Sequence, residues 1–247
     1  MIAGRPSAAS LRHVGRVRAA ARCARLYKCP VSVAGYFDVL YAQHERYWWR
    51  GKERYSARPE AYPSSLLTQQ TLRLIQNRPA GRALDIGAGE GADSIRLSLM
   101  GYAVDAVEIS AVGAAKISRF AEMAGAEVAV TVADARDFRP SGRYDVVICN
   151  GVLQYVDDKE AVVSAIQAAT VPGGLNVISQ WSSYTPVPSC HNRVPVSCDD
   201  EDGLVTKLYE IWPKELLYFE RDKPEMAHDD LPPHSHSHVK MIARRPG

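Results

Sequence analysis

The chain has 247 residues, of which 46% are hydrophobic and 23% charged, and its formal net charge is +2. This composition predicts one sizeable folded domain, excludes an intrinsically disordered chain, and gives no reason to expect a polyanionic partner. No apolar stretch approaches the roughly 18 residues that a transmembrane helix needs, and five cysteines without regular spacing favour a reducing cytoplasm over a disulfide scaffold.

The first 33 residues form a basic leader, which we separate from the folded domain. Residues 1–37 contain no acidic residue, whereas they carry seven basic ones: Arg5, Arg12, Arg16, Arg18, Arg22, Arg25 and Lys28. The leader fits a transit peptide, a basic arm for nucleic acid or a stretch upstream of a true start at Val31. We prefer the third interpretation, because composition suited to folding begins only near residues 31–36, and we expect disorder or loose helix before it.

Residues 34–78 predict a helical cover. Apolar and aromatic side chains recur at the spacing of one helix face over residues 36–47: Tyr36, Phe37, Leu40, Tyr41 and Tyr47. A second helix is predicted from Ser64 to about Gln76. The segment between them contains Trp48, Trp49 and Tyr55. These rings either enclose a cationic or flat ligand or, for the Trp pair, simply pack between cover and core.

Residues 79–247 predict a nucleotide-binding α/β domain that starts at a glycine-rich turn. A short apolar stretch, Arg82 to Gly87, predicts a buried strand. The glycines that follow allow positive φ and close backbone approach, and a helix then continues to about Met100. The next predicted strand, Ala103 to Ile109, has Glu108 at its tip, where a carboxylate suits a pair of ribose hydroxyls.

The loop itself indicates which kind of nucleotide it binds. Its spacing is Gly-x-Gly-x-Gly, and the acidic residue Glu90 lies inside it. A carboxylate there would repel a pyrophosphate. An uncharged or cationic cofactor head therefore fits better.

The remaining elements predict a parallel sheet with helices between its strands. They are a strand at Val128–Val132 followed by Asp134, a strand at Arg143–Asn150, a helix at Lys159–Ala169, a turn at Val171–Gly174 and a strand at Leu175–Gln180. The C-terminal third predicts a helix over Asp202–Trp212 and strands over Glu215–Glu220 and Val239–Arg245.

These motifs, in this order, resemble the class I S-adenosylmethionine-dependent methyltransferases. The cofactor loop of that family, D/E-x-G-x-G-x-G, is matched by Asp85, Gly87, Gly89 and Gly91, and its post-helix turn is close to Pro172-Gly173-Gly174. The resemblance implies a doubly wound Rossmann-like sheet of seven strands, mostly parallel with an antiparallel last strand, and helices on both faces. It implies S-adenosylmethionine as cofactor, bound by Asp85, Gly87, Ala88, Gly89, Glu108, Ile109, Asp134, Ala135 and Asn150.

Over residues 80–246 the chain also resembles the tellurite-resistance branch of that family, through its C-terminal helix, strand, acidic linker and strand. That branch moves methyl groups to soft chalcogen or metalloid acceptors. A histidine near the start of its linker is thought to help catalysis, and His228 is the nearest match, with one extra residue before it. The resemblance also implies that the N-terminal cover closes the site.

The acceptor side is predicted around the end of the fourth strand. Asn150 to Tyr155 should face the reacting methyl group, and the Asp/Asn-Pro-Pro-Tyr motif of exocyclic nucleic-acid amine methyltransferases does not occur there, which argues for a small acceptor. We assign Tyr155 to catalysis. We assign substrate contacts to Trp48, Trp49, Tyr55, Gln154, Trp181 and Arg193, the last of which could pair with a carboxylate.

Three alternating histidines, His234, His236 and His238, predict one face of a strand. They could share a divalent metal such as zinc, iron or nickel, completed by His228, Asp229 or Asp230. One of them, for which we choose His236, could instead remove a proton from the acceptor. The third interpretation is an exposed edge strand that begins after Pro232-Pro233. Cys190-His191 and Cys198 match no closed zinc motif, so we interpret them as loop residues.

Together these patterns predict a cytoplasmic enzyme that transfers a methyl group from S-adenosylmethionine to the O, N or S atom, or a metalloid, of a small molecule. The expected partner is a small-molecule substrate, without membrane attachment and without nucleic acid. One alternative is a nucleic-acid or protein methyltransferase steered by the basic leader. Another is a cofactor- or metal-binding protein without catalysis. The oligomeric state does not follow from the sequence.

Overall fold

A computed structural model describes residues 32–48, 62–191, 193–227 and 231–247. The basic leader before Ser32 therefore lies outside the described residues, and so do three of the predicted site residues, Trp49, Tyr55 and His228. Within the described part of the chain, no helix is both long enough and apolar enough to cross a lipid bilayer.

Helices and strands alternate over most of the chain. The helices are α1 (Val33–Ala42), α2 (Leu66–Ile75), α3 (Ala92–Leu99), α4 (Ala111–Ala124), α5 (Lys159–Ala169) and α6 (Leu204–Leu208). The strands are β1 (Arg82–Ile86), β2 (Ala103–Glu108), β3 (Val128–Val132), β4 (Tyr144–Asn150), β5 (Thr170–Ser182), β6 (Lys214–Glu225) and β7 (His234–Arg244). Two 3₁₀ turns lie at Leu153–Tyr155 and Ser189–His191.

The seven strands form one sheet in the order β3-β2-β1-β4-β5-β7-β6. Neighbours among β1 to β5 pair in parallel, whereas β7 is antiparallel to both β5 and β6. The predicted sheet, mostly parallel with an antiparallel last strand, is confirmed. In such a sheet, ligands bind at the carboxyl ends of the parallel strands, where the chain order reverses between β1 and β4.

Both faces of the sheet are buried, which explains the nearly continuous apolar sequence of β4. Val147 and Cys149 point into a core shared with α5 and α6, whereas Val146 and Ile148 point into a second core shared with α2 and α3. A strand that packs on both sides has no polar face to show in its sequence. The predicted helices on both faces are confirmed.

Helix α4 has no counterpart among the predicted elements. Its first half is built from small residues, so its apolar stripe is weak, although both of its ends carry clear signals. The Ser110 hydroxyl accepts from the Gly113 amide at the start, and Gly125 ends the helix at φ 68°. These are the usual cap residues.

Three strands, β5, β6 and β7, differ from their predicted extents, and β6 runs from Lys214 to Glu225 where Glu215–Glu220 was predicted. β5 begins at Thr170, because Thr170 already pairs with Tyr144 before an irregularity brings Leu175 opposite Val146. The predicted turn at Val171–Gly174 is therefore an irregular stretch inside a strand. β7 begins at His234 and pairs with strands on both sides. The edge-strand interpretation of the histidines is therefore wrong: β7 is an interior strand, and β6 is the edge.

Helix α1 lies over the start of α4. The Asp38 carboxylate accepts hydrogen bonds from the Ser110 hydroxyl at 2.6 Å and from the Val112 amide at 3.1 Å. Leu40, Tyr41 and Tyr47 form a separate small core beneath this cover. The N-terminal segment is thus fixed above the end of β2, where the cofactor residues were predicted.

Candidate active site

A cavity of about 540 Å³ lies at the carboxyl ends of the parallel strands, beneath the cover. This volume is typical of a pocket for a small ligand. Its lining includes all nine residues predicted to hold the cofactor: Asp85, Gly87, Ala88, Gly89, Glu108, Ile109, Asp134, Ala135 and Asn150.

The glycine loop brings bare backbone to the cavity wall. Gly87 has φ 69° and Gly89 has φ 60°, a left-handed conformation that side chains rarely adopt. A Cβ atom on Gly87 would lie 2.1 Å from Cγ2 of Val152, and one on Gly89 would lie 3.2 Å from the Tyr41 hydroxyl oxygen. Glycine is therefore required at both positions by conformation and by space.

Glu108 is held at the tip of β2 by backbone amides. Its Oε2 accepts from the Gly89 amide at 2.7 Å, and its Oε1 accepts from the Ser110 amide at 2.9 Å. Burial raises the pKa of Glu108 to about 7, although these amide bonds act in the opposite direction. The lone pairs that these amides leave free can accept ligand hydroxyls.

Two further acidic residues of the cofactor set differ in environment. Asp85 is buried and accepts from the Ser94 hydroxyl at 2.5 Å. Burial, and then the nearby charge of Asp93, raise the pKa of Asp85. Asp134 is partly exposed, and its hydrogen bond from the Arg136 side chain keeps the pKa of that carboxyl below its usual value. Asp134 is thus ionised at neutral pH and accessible from the cavity.

Glu90 has a different role from the one its position in the loop suggests. It is buried, and its carboxylate accepts from the amides of Tyr47 and Trp48 and from the Lys116 ammonium at 2.7 Å. Since Lys116 neutralises it, its charge does not select the cofactor head. Glu90 instead fixes the cover to the glycine loop.

Aromatic rings line the part of the cavity that was predicted to take the acceptor. Phe37 of the cover lies edge-on to Tyr155 at 5.4 Å between centroids, and Tyr155 lies 6.1 Å from Trp181. Trp48 and Gln154, also predicted to contact substrate, line the same cavity. Burial raises the pKa of Tyr155, so its hydroxyl stays protonated at neutral pH. Tyr155 can therefore orient a ligand by hydrogen bonding but is not ionised as a base.

The histidines on β7 share one face, as predicted, but the trio that comes together differs by one member. Ring nitrogens of His191, His234 and His236 all lie within 4.8 Å of one another. His238 instead faces Glu220, with its Nδ1 3.2 Å from Oε2. Burial and Lys240 lower the pKa of His238 to about 4, so this contact is not an ion pair at neutral pH. His191 was predicted only as a loop residue.

Other predicted residues lie away from the cavity wall. The described lining includes His191, His236 and His238 but not His234, whose side chain is almost fully buried behind them. Arg193 follows the turn at Ser189–His191 and is not part of the described lining either. Glu225 lines the cavity, although nothing in its local sequence indicated this.

Comparison with known proteins decides the family. A family model described as a methyltransferase domain matches residues 58–239, well over half of the chain. The chain belongs to this family. The fold and the glycine loop place it among the class I S-adenosylmethionine-dependent methyltransferases.

Curated relatives match only in part. Hemagglutinin 1 of Eikenella corrodens is 30% identical over 180 residues, which are 70% of this chain and 57% of that protein. The ubiquinone biosynthesis O-methyltransferase of Burkholderia ambifaria is 34% identical over 95 residues, which are 38% of this chain and 41% of that protein. The chain thus spans about half the length of these relatives.

Solved structures share the fold of this methyltransferase. TehB from Haemophilus influenzae superposes with a TM-score of 0.63 at 18% identity, covering 81% of this chain and 66% of that one. The N-methyltransferase NodS from Bradyrhizobium japonicum, in complex with S-adenosylhomocysteine, superposes with a TM-score of 0.60 at 14% identity. The superposition covers 88% of this chain and 100% of that one.

The residues of this methyltransferase fit S-adenosylmethionine. Gly87 and Gly89 present backbone without side chains at the cavity wall, where a ligand can approach closely. The Glu108 carboxylate, fixed by two amides, would hold the ribose hydroxyls. Asp134, ionised and facing the cavity, would accept from the adenine amino group.

We expect the affinity for S-adenosylhomocysteine to fall as the pH is lowered from 7. With a pKa of about 7, Glu108 in the free protein takes up a proton below that pH. The ribose hydroxyls would bind to the ionised form, so binding would release this proton. The association constant should therefore decrease by up to about tenfold per pH unit. Titration calorimetry between about pH 8 and pH 6 measures it.

The control for this prediction is Glu108→Gln, which cannot titrate. The raised pKa of Asp85 comes mainly from burial and from Asp93, and only in smaller part from the charge of Glu108, so the slope that remains in the variant comes from elsewhere in the site. The contribution of Glu108 is the difference between the two slopes. Equal slopes in the two proteins would contradict the prediction.

Proposed function

We propose that this methyltransferase transfers the methyl group of S-adenosylmethionine to a small-molecule acceptor, at an O, N or S atom or a metalloid. The observation that carries the proposal is that one cavity is bounded by the cofactor residues on one side and by aromatic rings and histidines on the other. Donor and acceptor would thus share a single cavity of a size suited to small ligands.

The chemistry of methyl transfer needs positioning more than it needs reactive side chains. When bound, S-adenosylmethionine supplies a methyl group on a positively charged sulfur, which an acceptor atom attacks in line. Most of the rate then comes from holding the acceptor about 3 Å from the methyl carbon. The rings of Phe37, Tyr155 and Trp181 contact one another in sequence along the cavity. They would hold a flat acceptor and stabilise the positive charge of the sulfonium sulfur.

A histidine assists the acceptor in this proposal, either as a base or as a metal ligand. Tyr155 stays protonated, because burial raises the pKa of its hydroxyl, so it would orient the acceptor. His236 lines the cavity with its ring stacked on Trp181 at 4.1 Å. An imidazole of this kind suits either proton transfer or metal binding at neutral pH.

Relatives guide the choice of acceptors. The named oxygen acceptor of the ubiquinone O-methyltransferases makes phenols and other hydroxyl compounds the first members of a test panel. The resemblance of the sequence to the tellurite-resistance branch adds tellurite, selenite and simple thiols. We place the reaction in the cytoplasm, because Cys149 and Cys198 are free thiols, as a reducing compartment would keep them.

Cofactor binding and product identification test the proposal. Titration calorimetry should show binding of both S-adenosylmethionine and S-adenosylhomocysteine, and mass spectrometry should detect a methylated small molecule from the panel. Absence of binding for both cofactors would overturn the function altogether. Methyl label appearing in nucleic acid or protein, with every small molecule unlabelled, would overturn the small-molecule acceptor alone.

A further inference from the structure

Three imidazole rings from two distant segments meet at the acceptor end of the cavity. His191 comes from the turn at Ser189–His191, whereas His234 and His236 are alternate residues of β7. Nε2 of His191 lies 3.0 Å from Nε2 of His234 and 3.1 Å from Nε2 of His236. The Nε2 atoms of His234 and His236 thus lie beside the same ring nitrogen of His191, and the three rings are close enough to share one ion.

These distances are those of metal ligands. Zinc binds histidine nitrogens at about 2.0–2.1 Å in a tetrahedron, which puts two such nitrogens about 3.3 Å apart. Hydrogen bonding explains the arrangement less well, because Nε2 of a neutral ring carries at most one hydrogen. One such hydrogen on His191 cannot make two well-aligned bonds to the other two rings. A central cation would accept a lone pair from all three.

Contacts outside the cluster also hold two of the rings in place, as is usual for metal-binding histidines. Nδ1 of His234 lies 2.7 Å from the carbonyl oxygen of Pro232, which can only accept. Nδ1 therefore carries the proton, and in the neutral ring the Nε2 lone pair points at the cluster. The His236 ring is stacked on Trp181, with 16° between the planes. Both rings keep their orientation without a ligand.

We propose that His191, His234 and His236 bind a divalent transition metal, with zinc as the first candidate. Imidazole donors suit zinc, copper, iron and nickel rather than magnesium or calcium. His191, His236 and Glu225 all line the cavity, so the fourth coordination position of the metal would face it. Glu225 Oε2 lies 3.6 Å from Nε2 of His234, so this carboxylate can approach the metal or hydrogen bond to what the metal binds.

An open position at such a metal selects the acceptor class, and this step rests on the proposed function. The metal would bind the acceptor through a hydroxyl or thiol group. Because a bound divalent cation favours loss of the proton from such a group, the acceptor would bind as an anion, and its proton would go to solvent. The acceptor's oxygen or sulfur then forms a bond to the methyl carbon while the sulfonium carbon–sulfur bond breaks. The electron pair of that bond goes to sulfur, and the products are the methylated acceptor and neutral S-adenosylhomocysteine.

Metal analysis of the purified full chain tests the site. After treatment with a chelator and reloading with zinc, we expect about one bound zinc ion per chain. His191→Ala and His236→Ala should each weaken zinc binding at least about a hundredfold. His238→Ala is the matched control, because this histidine lies on the same strand face but points to Glu220. It should keep the metal. Cobalt(II) loaded in place of zinc should give the visible absorption of a tetrahedral site.

Each outcome separates the proposals. Wild-type protein without bound zinc or cobalt after loading would overturn the metal site, and equal loss in His238→Ala would overturn the assignment of its ligands. Unchanged binding of S-adenosylhomocysteine by the His191 and His236 variants shows that they are folded. A chain that binds zinc but neither cofactor would contradict the proposed function and leave the metal site standing.

Discussion

The Lys116→Met variant should unfold with a free energy about 3–5 kcal/mol below that of the wild type, because it leaves a buried carboxylate unpaired. The Lys116 ammonium uses its three hydrogens on Glu90 and on the carbonyl oxygens of Tyr41 and His44, at 2.6–2.7 Å. The side chain of Glu90 is 1% exposed. Methionine keeps the volume of lysine but removes all three bonds.

The chain contains a matched control for this pair. Arg119 also lies on α4 and pairs with Glu45 of the cover segment at 2.8 Å, but these side chains are 47% and 67% exposed. Arg119→Met should therefore cost less than about 1 kcal/mol. Urea unfolding followed by circular dichroism measures both variants. If both variants lost the same free energy of unfolding within error, Lys116 and Glu90 would not be the anchor of the cover.

A double variant separates charge from packing. Glu90→Gln combined with Lys116→Met removes both charges and keeps an amide oxygen that can accept from the Tyr47 or Trp48 amide. Since no charge is then left buried alone, the double variant should be more stable than Lys116→Met. A double variant less stable than Lys116→Met would indicate that packing, and not charge, dominates.

Elements defined by local patterns could be predicted from the sequence. β3 at Val128–Val132 and α5 at Lys159–Ala169 have the predicted bounds, and β1 ends one residue before its predicted end. Their signals are apolar periodicity, the Asp158 cap and the glycines of the loop, all within a few residues of the element itself. The cofactor side of the cavity depends on these elements.

The cluster of His191, His234 and His236 and the anchor of the cover could not be predicted, because both depend on contacts between distant residues. His191 and His236 are 45 positions apart, and Glu90 and Lys116 are 26 apart. Period-two spacing gives the shared face of His234, His236 and His238 but does not say what lies opposite that face. The order β5-β7-β6, which buries β7, likewise follows from strand pairing that no local pattern encodes.

One overlooked signal lay in α4. Lys116 occurs among residues that form the buried face of that helix, at the spacing of Gly113, Ile117 and Phe120. A lysine on such a face is rarely buried without a partner. The acidic residue inside the glycine loop was the available partner, which would have changed the interpretation of Glu90 from cofactor selection to anchoring.

Replacing Glu108 by glutamine should weaken the binding of S-adenosylmethionine at least about a hundredfold. A hydrogen bond to an ionised group contributes about 1.5–3 kcal/mol, and two ribose hydroxyls would bind this carboxylate. Glutamine also disturbs the loop, since both oxygens of Glu108 accept from backbone amides, at 2.7 and 2.9 Å. The amide nitrogen of glutamine cannot accept, so it would face one of those N–H groups. Titration calorimetry measures the loss.

Asp105→Asn controls for damage to the strand. Asp105 lies on β2 three positions before Glu108, but it accepts from Arg82 at 2.7 Å and from the Tyr144 hydroxyl at 2.8 Å, and it is not part of the described cavity lining. This variant should bind the cofactor as the wild type does. A similar loss in both variants would mean that β2 has been disturbed and that the ribose contact is not responsible.

The kinetic signature of Glu108→Gln should be a raised KM for S-adenosylmethionine with little change in kcat. The ribose contact is remote from the methyl group, so it stabilises the bound cofactor and the transition state equally, and its loss cancels once the cofactor is saturating. In the proposed function Tyr155 and His236 contact the acceptor, so their replacement should instead lower kcat. A Glu108→Gln variant whose kcat falls as much as its kcat/KM would place that carboxylate in the chemical step and contradict the division of the cavity into a donor half and an acceptor half.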